Sequence, residues 1–207
     1  MSQTDNKNNI AYIYNPANYS EEELIKNFIV RLNEFNSIFE VIKKDNMKHP
    51  PQHFIIQGLR GNGKTTLLQR LYYEVKNDSE LSKKLIPVIF DEEEYGIRKL
   101  YKLWERIAED VEDKNLEFKG IYDEMMKHAN EDDYEETAYK TLKNSLNKNG
   151  KKLVLFFDNF GEILGKFNEK EARRLREILM GENFIRIVGA SSIMLESFYD
   201  YSKPFYE

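Results

Sequence analysis

The sequence predicts a three-layer α/β fold: a mainly parallel central sheet with helices on both faces. Three observations predict it. Short apolar runs alternate with stripes of helical period. The runs are too uniformly apolar for a sheet with one wet face. A glycine-rich, eight-residue pattern joins the first run to the stripe that follows it, which is the strand, loop, helix order of a phosphate loop.

Taken in order, residues 1–19 read as a polar N-terminal extension, with an extended aromatic lead-in over Ala11-Tyr12-Ile13-Tyr14-Asn15-Pro16. The core is expected over 20–207. Ser20 followed by Glu23 is a capping box that opens a helix, and Leu24, Ile25, Phe28, Ile29, Leu32, Phe35, Ile38, Phe39 and Ile42 continue at helical intervals. His53 to Gln57 reads as the first strand, Lys64 to Lys76 as a helix, and Leu85 to Phe90 as a buried strand ending in the acidic run Asp91-Glu92-Glu93-Glu94. Gly96 to Leu146 is helical, with stripes through Ile97, Leu100, Leu103, Ile107 and Val111 and through Tyr134, Ala138, Leu142 and Leu146, joined by a charged connector from Asn130 to Glu136. Lys152 to Phe157 is a third strand, Glu169 to Met180 a helix, Phe184 to Ala190 a fourth strand, and Leu195 to Tyr199 a short closing helix.

Composition narrows the function. With 31 basic against 36 acidic residues the net charge is −5, which argues against nucleic acid as the partner of the bulk surface. The absence of cysteine excludes disulfides, thiol nucleophiles and thiolate zinc sites, and fits a reducing compartment. No apolar run is long enough to cross a bilayer and no signal-type segment opens the chain, so the expectation is a cytoplasmic protein without a membrane partner.

Gly58-Leu59-Arg60-Gly61-Asn62-Gly63-Lys64-Thr65 matches G-x-x-x-x-G-K-[ST] at every fixed position. Glycines at 58, 61 and 63 let successive backbone N–H groups turn toward a polyanion, and the following helix points its positive end at the same place. The candidate nucleotide-binding residues are Gly58, Arg60, Gly61, Asn62, Gly63, Lys64, Thr65 and Thr66. Lys64 is expected on the β and γ phosphates and the Thr65 hydroxyl on Mg²⁺.

Leu153 to Phe157 ends in Asp158, a carboxylate at a strand tip suited to hold a Mg²⁺-bound water; Thr65 and Asp158 are therefore the metal candidates. The next residue is Asn159, an amide that orients water but cannot take its proton. Glu162, one turn on, and Glu92, Glu93 and Glu94 are the alternative bases, against a reading as ordinary solvated acids. Ser191 and Ser192 either meet the γ phosphate or attacking water, with Ser192 the candidate catalytic residue, or cap a following helix. Arg173, Arg174 and Arg176 are either an arginine finger for a neighbouring subunit or local partners of Glu171 and Glu177.

With these residues in place the chain resembles AAA+/STAND-type P-loop ATPases (an ASCE/AAA+-like three-layer P-loop NTPase), close to archaeal and origin-recognition-type members. Phe28-Ile29-Val30-Arg31-Leu32-Asn33-Glu34-Phe35 is similar to that family's F-V-G-R-E-x-E-L box, with Val30 in place of its glycine and Asn33 in place of an acid. The resemblance implies that Arg31 and its neighbours help form an adenine pocket, that ATP and Mg²⁺ are the cofactors, and that Ser191 and Ser192 stand in the sensor 1 place. It also implies a helical lid and often a winged helix beyond Lys203-Pro204-Phe205-Tyr206-Glu207, so a truncated chain is expected. DNA would be contacted only through such a missing part, if at all, and self-association or a protein client is the other partner class implied.

The expected function is Mg²⁺-dependent ATP hydrolysis coupled to a conformational change. The alternative is a nucleotide-gated switch or scaffold that binds ATP with little turnover, which Asn159 favours. A P-loop kinase with Arg173, Arg174 and Arg176 as its lid ranks below both, since about 50 residues precede the loop. A GTPase ranks lower, because Asn147-Lys148-Asn149-Gly150 lacks the aspartate of a guanine motif.

Overall fold

A computed structural model describes residues 20–29, 31–91 and 96–192. The readings for 1–19, Val30, Glu92 to Glu94 and the closing helix at Leu195 to Tyr199 lie outside the described residues. Elements follow in the order α1 (Glu21–Asn27), α2 (Leu32–Lys44), β1 (Phe54–Gln57), α3 (Lys64–Asn77), β2 (Leu85–Phe90), α4 (Leu100–Lys114), α5 (Ile121–Met126), α6 (Tyr134–Lys148), β3 (Lys152–Phe157), α7 (Phe160–Lys166), α8 (Glu169–Gly181) and β4 (Ile185–Ser191).

The strands form one parallel sheet in the order β1-β4-β3-β2. The chain therefore jumps from β1 to the far edge and returns strand by strand. Period-two alternation then sorts the core into two halves. Leu153, Leu155 and Phe157 of β3, with Ile185 and Ile187 of β4, pack under α4, α6 and α8. Val154 and Phe156, with Val188 and Ala190, pack under α2 and α3. β3 and β4 are buried along both faces, which is why they lack the wet alternation of a one-sided sheet. Pro87 sits in β2, an outer strand among the described residues, where its missing N–H leaves the central ladder intact.

The Ser20 capping box forms as the sequence predicts, with Glu23 N–H donating to Ser20 Oγ and Ser20 N–H to Glu23 Oε2. The single helical stripe expected from Leu24 to Ile42 is instead two helices. The chain leaves α1 at Phe28 and re-enters at Arg31, whose φ of 59° is left-handed and cannot continue a right-handed helix. Both halves still bury one stripe, Leu24 in α1 and Phe35, Ile38, Phe39 and Ile42 in α2, so periodicity alone does not reveal the break. Helix α7 is also an addition to the sequence reading. No described helix is long and apolar enough to cross a membrane.

The end of the sheet remote from the glycine loop is closed by a buried polar group. Arg186 of β4 is fully buried, donates from Nε to Gln52 O at 3.1 Å and pairs through Nη2 with Asp45, the C-cap of α2. Burial holds its pKa below the ordinary guanidinium value, against the opposing pull of Asp45. His53, beside it, accepts the Ile187 N–H at Nδ1 (3.1 Å), so Nε2 carries the proton and donates to Leu179 O at 3.0 Å. The neutral ring satisfies both partners. Burial first, and then the charge of Arg186, lower the His53 pKa against the opposing Leu179 carbonyl.

A lowered folded pKa means that the unfolded chain takes up the proton first as pH falls. His53 thus contributes stability that is present above the ordinary imidazole value near 6.5 and is lost as pH falls through its folded value. Urea unfolding followed from about pH 7.5 to about pH 5.5 is expected to show wild type losing stability more steeply than His53→Asn, whose amide oxygen can still accept from Ile187. Parallel curves for the two proteins would contradict this role.

Candidate nucleotide-binding site

The glycine loop lies at the carboxyl end of β1, where open α/β sheets place their ligands. Gly61 and Gly63 have φ of 85° and 68°, and nothing among the described residues lies within 4 Å of a methyl placed on either. Glycine is thus favoured there by backbone conformation rather than by crowding. Gly63 is the N-cap of α3 and offers no side chain to close its first turn, so the helix begins on Lys64 with its N–H groups directed outward.

Lys64 is 9% exposed, and its Nζ donates to Gly58 O at 2.8 Å and to Leu59 O at 2.9 Å. The ammonium group is therefore held against the loop rather than extended into solvent. Thr65 is half-buried and Thr66 buried in the same turn, while Arg60 and Asn62 are exposed on the loop. Asn62 N–H closes a turn on Leu59 O at 3.3 Å. Arg31 reaches the same place, its Nη2 lying 3.5 Å from a methyl placed on Gly58. A backbone amide array, a helix N-terminus, Lys64 and Arg31 converge, and this donor set fits a polyphosphate.

Parallel register brings two further strand ends alongside. Gln57 pairs with Ser191, and Phe157 with Gly189, so β1, β4 and β3 end at nearly one level. Asp158 follows β3, is buried, and donates its backbone N–H to Phe90 O at 2.9 Å. Asn159 is 8% exposed, left-handed at φ 63°, and caps α7 without a side-chain hydrogen bond; its Oδ1 has no partner among the described residues. Ser191, the last residue of β4, is 1% exposed, whereas Ser192 lies beyond the strand and is exposed. Glu162 stands exposed in the first turn of α7. Asp158, Asn159 and Ser191 thus share the buried edge; Glu162 and Ser192 do not share that burial.

No group of three or more His, Cys, Asp or Glu side chains suited to hold a metal occurs among the described residues. A magnesium ion here would depend on Thr65, Asp158, water and the phosphates themselves, as is usual for an ion reluctant to lose its water.

The arginines of α8 follow the local-pair reading in altered detail. Arg173 pairs with Glu169, and Arg174 with Glu136, with Glu135 and Glu177 each at 3.9 Å. Glu171 turns instead to the Leu100 N–H at 3.2 Å and to Lys99 at 3.8 Å. A cavity of about 890 Å³ opens beside these groups, lined among others by Glu135, Glu136, Glu169, Glu171 and Glu177. None of the loop residues lines it, and Lys170, Arg173 and Arg174 line it together with the carboxylates.

Sequence reasoning missed Gly189. A methyl placed there would lie 2.9 Å from Cβ of Phe160 and 3.0 Å from Cδ1 of Ile55. The available signal was a glycine inside an otherwise apolar strand, which marks a close approach.

A phosphate loop at the tip of β1, with an acidic strand tip two strands away on a four-stranded parallel sheet covered by helices, defines a P-loop-like three-layer fold. The family model described as inactive STAND (iSTAND) matches residues 26–175, most of the chain and all of the segment from α2 through Asn159, and the chain belongs to that family. No curated protein matches the chain.

Asn is among the side chains that best tolerate φ near 60°, and its buried Oδ1 gains nothing from the described structure. Asn159→Ala is therefore expected to lower the unfolding free energy by about 1 kcal/mol, while Asn159→Gly stays within about 0.5 kcal/mol of wild type. Equal losses for both variants in urea titrations would contradict the backbone account.

Proposed function

We propose that this chain is a nucleotide-gated switch that binds Mg²⁺-ATP at Gly58 to Thr66 and turns it over little or not at all. The observation that carries the reading is the pairing of a complete phosphate loop, with Lys64 held at its floor, and an amide where a base would be needed, at Asn159. The loop amides and the N-terminus of α3 receive the phosphates, Lys64 and Arg31 neutralise them, and Thr65 and Asp158 hold the metal through oxygen. The magnesium ion supplies charge neutralisation between the phosphates. Asn159 and Ser191 offer hydrogen bonds to water at the same edge, but neither takes a proton at neutral pH. The family description, inactive STAND, supports the absence of turnover.

Under this reading the energy that drives the switch is the binding energy of the nucleotide, not its hydrolysis. A helical lid, kinship with origin-recognition-type ATPases, a protein client or self-association, and a cytoplasmic location belong to the same proposal.

Lys64→Ala removes a buried, charge-assisted donor, and ATP affinity measured by calorimetry in Mg²⁺ is expected to fall about 100-fold with the circular dichroism spectrum unchanged. Wild type incubated with labelled ATP is expected to lose it no faster than Lys64→Ala does. Unchanged affinity in Lys64→Ala would overturn the site. Turnover abolished by that substitution would restore the ATPase reading.

A further inference from the structure

The connection between β3 and α7 is two residues long, Asp158 and Asn159, and they are the acidic strand tip and the amide beside it. Their position is therefore fixed by where the chain is anchored on either side. On one side Phe157 ends the strand, stacked on Phe90 with ring centroids 4.4 Å apart. On the other, Phe160 opens the helix, is buried, and packs back on Phe157 with centroids 5.3 Å apart.

The register partner of Phe157 is Gly189. Both residues face the same side of the sheet, and Phe160 seats over the pair, against the large ring of one and the bare Cα of the other. A methyl on Gly189 would sit 2.9 Å from Cβ of Phe160, closer than real Cβ contacts come, and 3.1 Å from its Cγ, tighter than most. Cβ is joined directly to the backbone, so no rotation of the ring relieves the contact. α7 would have to lift away from β4. The remaining close atom, Cδ1 of Ile55, is the end of a flexible side chain and can move.

Glycine inside a strand costs about 0.5–1 kcal/mol relative to alanine, and β4 is buried throughout, where a larger side chain would otherwise add packing. What the gap provides is the depth at which α7 begins. We propose that Gly189 is a positioning residue for the magnesium half of the site: by letting Phe160 seat against β4, it sets the reach of Asp158 toward the phosphate loop. The inference rests on the nucleotide reading above and goes beyond it by assigning a role to a residue that touches neither nucleotide nor metal.

The test separates the two halves of the site. ATP affinity is measured by calorimetry in excess Mg²⁺ and again in EDTA, for wild type and Gly189→Ala. Lys64 and the loop act in both conditions, whereas Asp158 acts only through the metal. Gly189→Ala is expected to keep its affinity in EDTA within about twofold of wild type and to lose about tenfold or more of the Mg²⁺-dependent gain, in line with the sensitivity of sites to displacements near 1 Å. A Mg²⁺-dependent gain equal to that of wild type would overturn the proposal, and so would equal losses in the two conditions, which would indicate general damage.

Wild type that binds no ATP in either condition would sink the nucleotide reading itself, an outcome distinct from a failure of the variant alone. If Gly189→Ala does not fold, the double variant Ile55→Val, Gly189→Ala removes the Cδ1 contact and is compared with Ile55→Val. If neither Gly189 variant folds, the glycine is a packing requirement only and the positioning role is overturned.

Discussion

The register that pairs Gln57 with Ser191 and Phe157 with Gly189 is the constraint on which the rest depends. Parallel strands point their carboxyl ends the same way, so three strand tips of different sequence origin arrive at one edge: the glycine loop from β1, Ser191 from β4 and Asp158 from β3. A slip of one residue in either pairing would reverse the faces of a strand buried on both sides and move a functional tip by about 3.3 Å. Register here is held by core packing as well as by ladder hydrogen bonds. Val154 and Phe156 belong to one half of the core and Leu153, Leu155 and Phe157 to the other, so no shifted pairing leaves both halves filled.

The two ends of the sheet solve opposite electrostatic problems. At the carboxyl end positive groups gather: the N-terminus of α3, Lys64 held on the Gly58 and Leu59 carbonyls, and Arg31 beside Gly58. Such a gathering of positive groups is the kind of surface that suits a polyanion. At the amino end the buried guanidinium of Arg186 meets Asp45 through Nη2 and the Gln52 carbonyl through Nε, while its Nη1 has no hydrogen-bond partner among the described residues; His53 stays neutral beside it. Removing one partner of such a buried pair would cost several kcal/mol, about 3–5, because the other charge would be stranded. The two ends thus differ: one gathers positive groups around a glycine loop, and the other holds a buried guanidinium against a carboxylate and a carbonyl. α2 spans the two, with Arg31 at its start near Gly58 and Asp45 at its close on Arg186.

Much of this arrangement was legible in the sequence. The four strands were visible as apolar runs, the loop as a full motif, and Asp158 as a carboxylate at a strand tip, because each signal is local. Three features were not. The break between α1 and α2 depends on the left-handed conformation of Arg31, which hydrophobic periodicity does not encode. The different burial of Ser191 and Ser192 depends on where β4 ends, and strand ends are set by pairing partners far away in the chain. The need for Gly189 is a contact between β4 and α7, invisible until the register with Phe157 is known. The acidic partners of Arg173 and Arg174 were only partly legible: of the two suggested, Glu177 lies 3.9 Å from Arg174 while Glu171 turns to Leu100 and Lys99, and the close partners are Glu169 and, from α6 across the packing interface, Glu136.

The replacement of a base by Asn159 has a local cause as well as a chemical consequence. The chain must turn from β3 into α7 within two residues, and it does so by placing residue 159 at φ 63°. A glutamate in that conformation would carry about 1–2 kcal/mol of backbone strain, while asparagine and glycine carry little. The turn therefore favours the amide on conformational grounds, and the same choice removes the proton acceptor from the buried edge. Glu162, the next carboxylate after Asn159 along the chain, stands exposed on α7. The turn that seats Phe160 against Gly189 is thus also poorly suited to carrying a glutamate after Asp158. The conformation of one tight turn thus decides which side chain can follow Asp158, and it favours an amide over a proton acceptor.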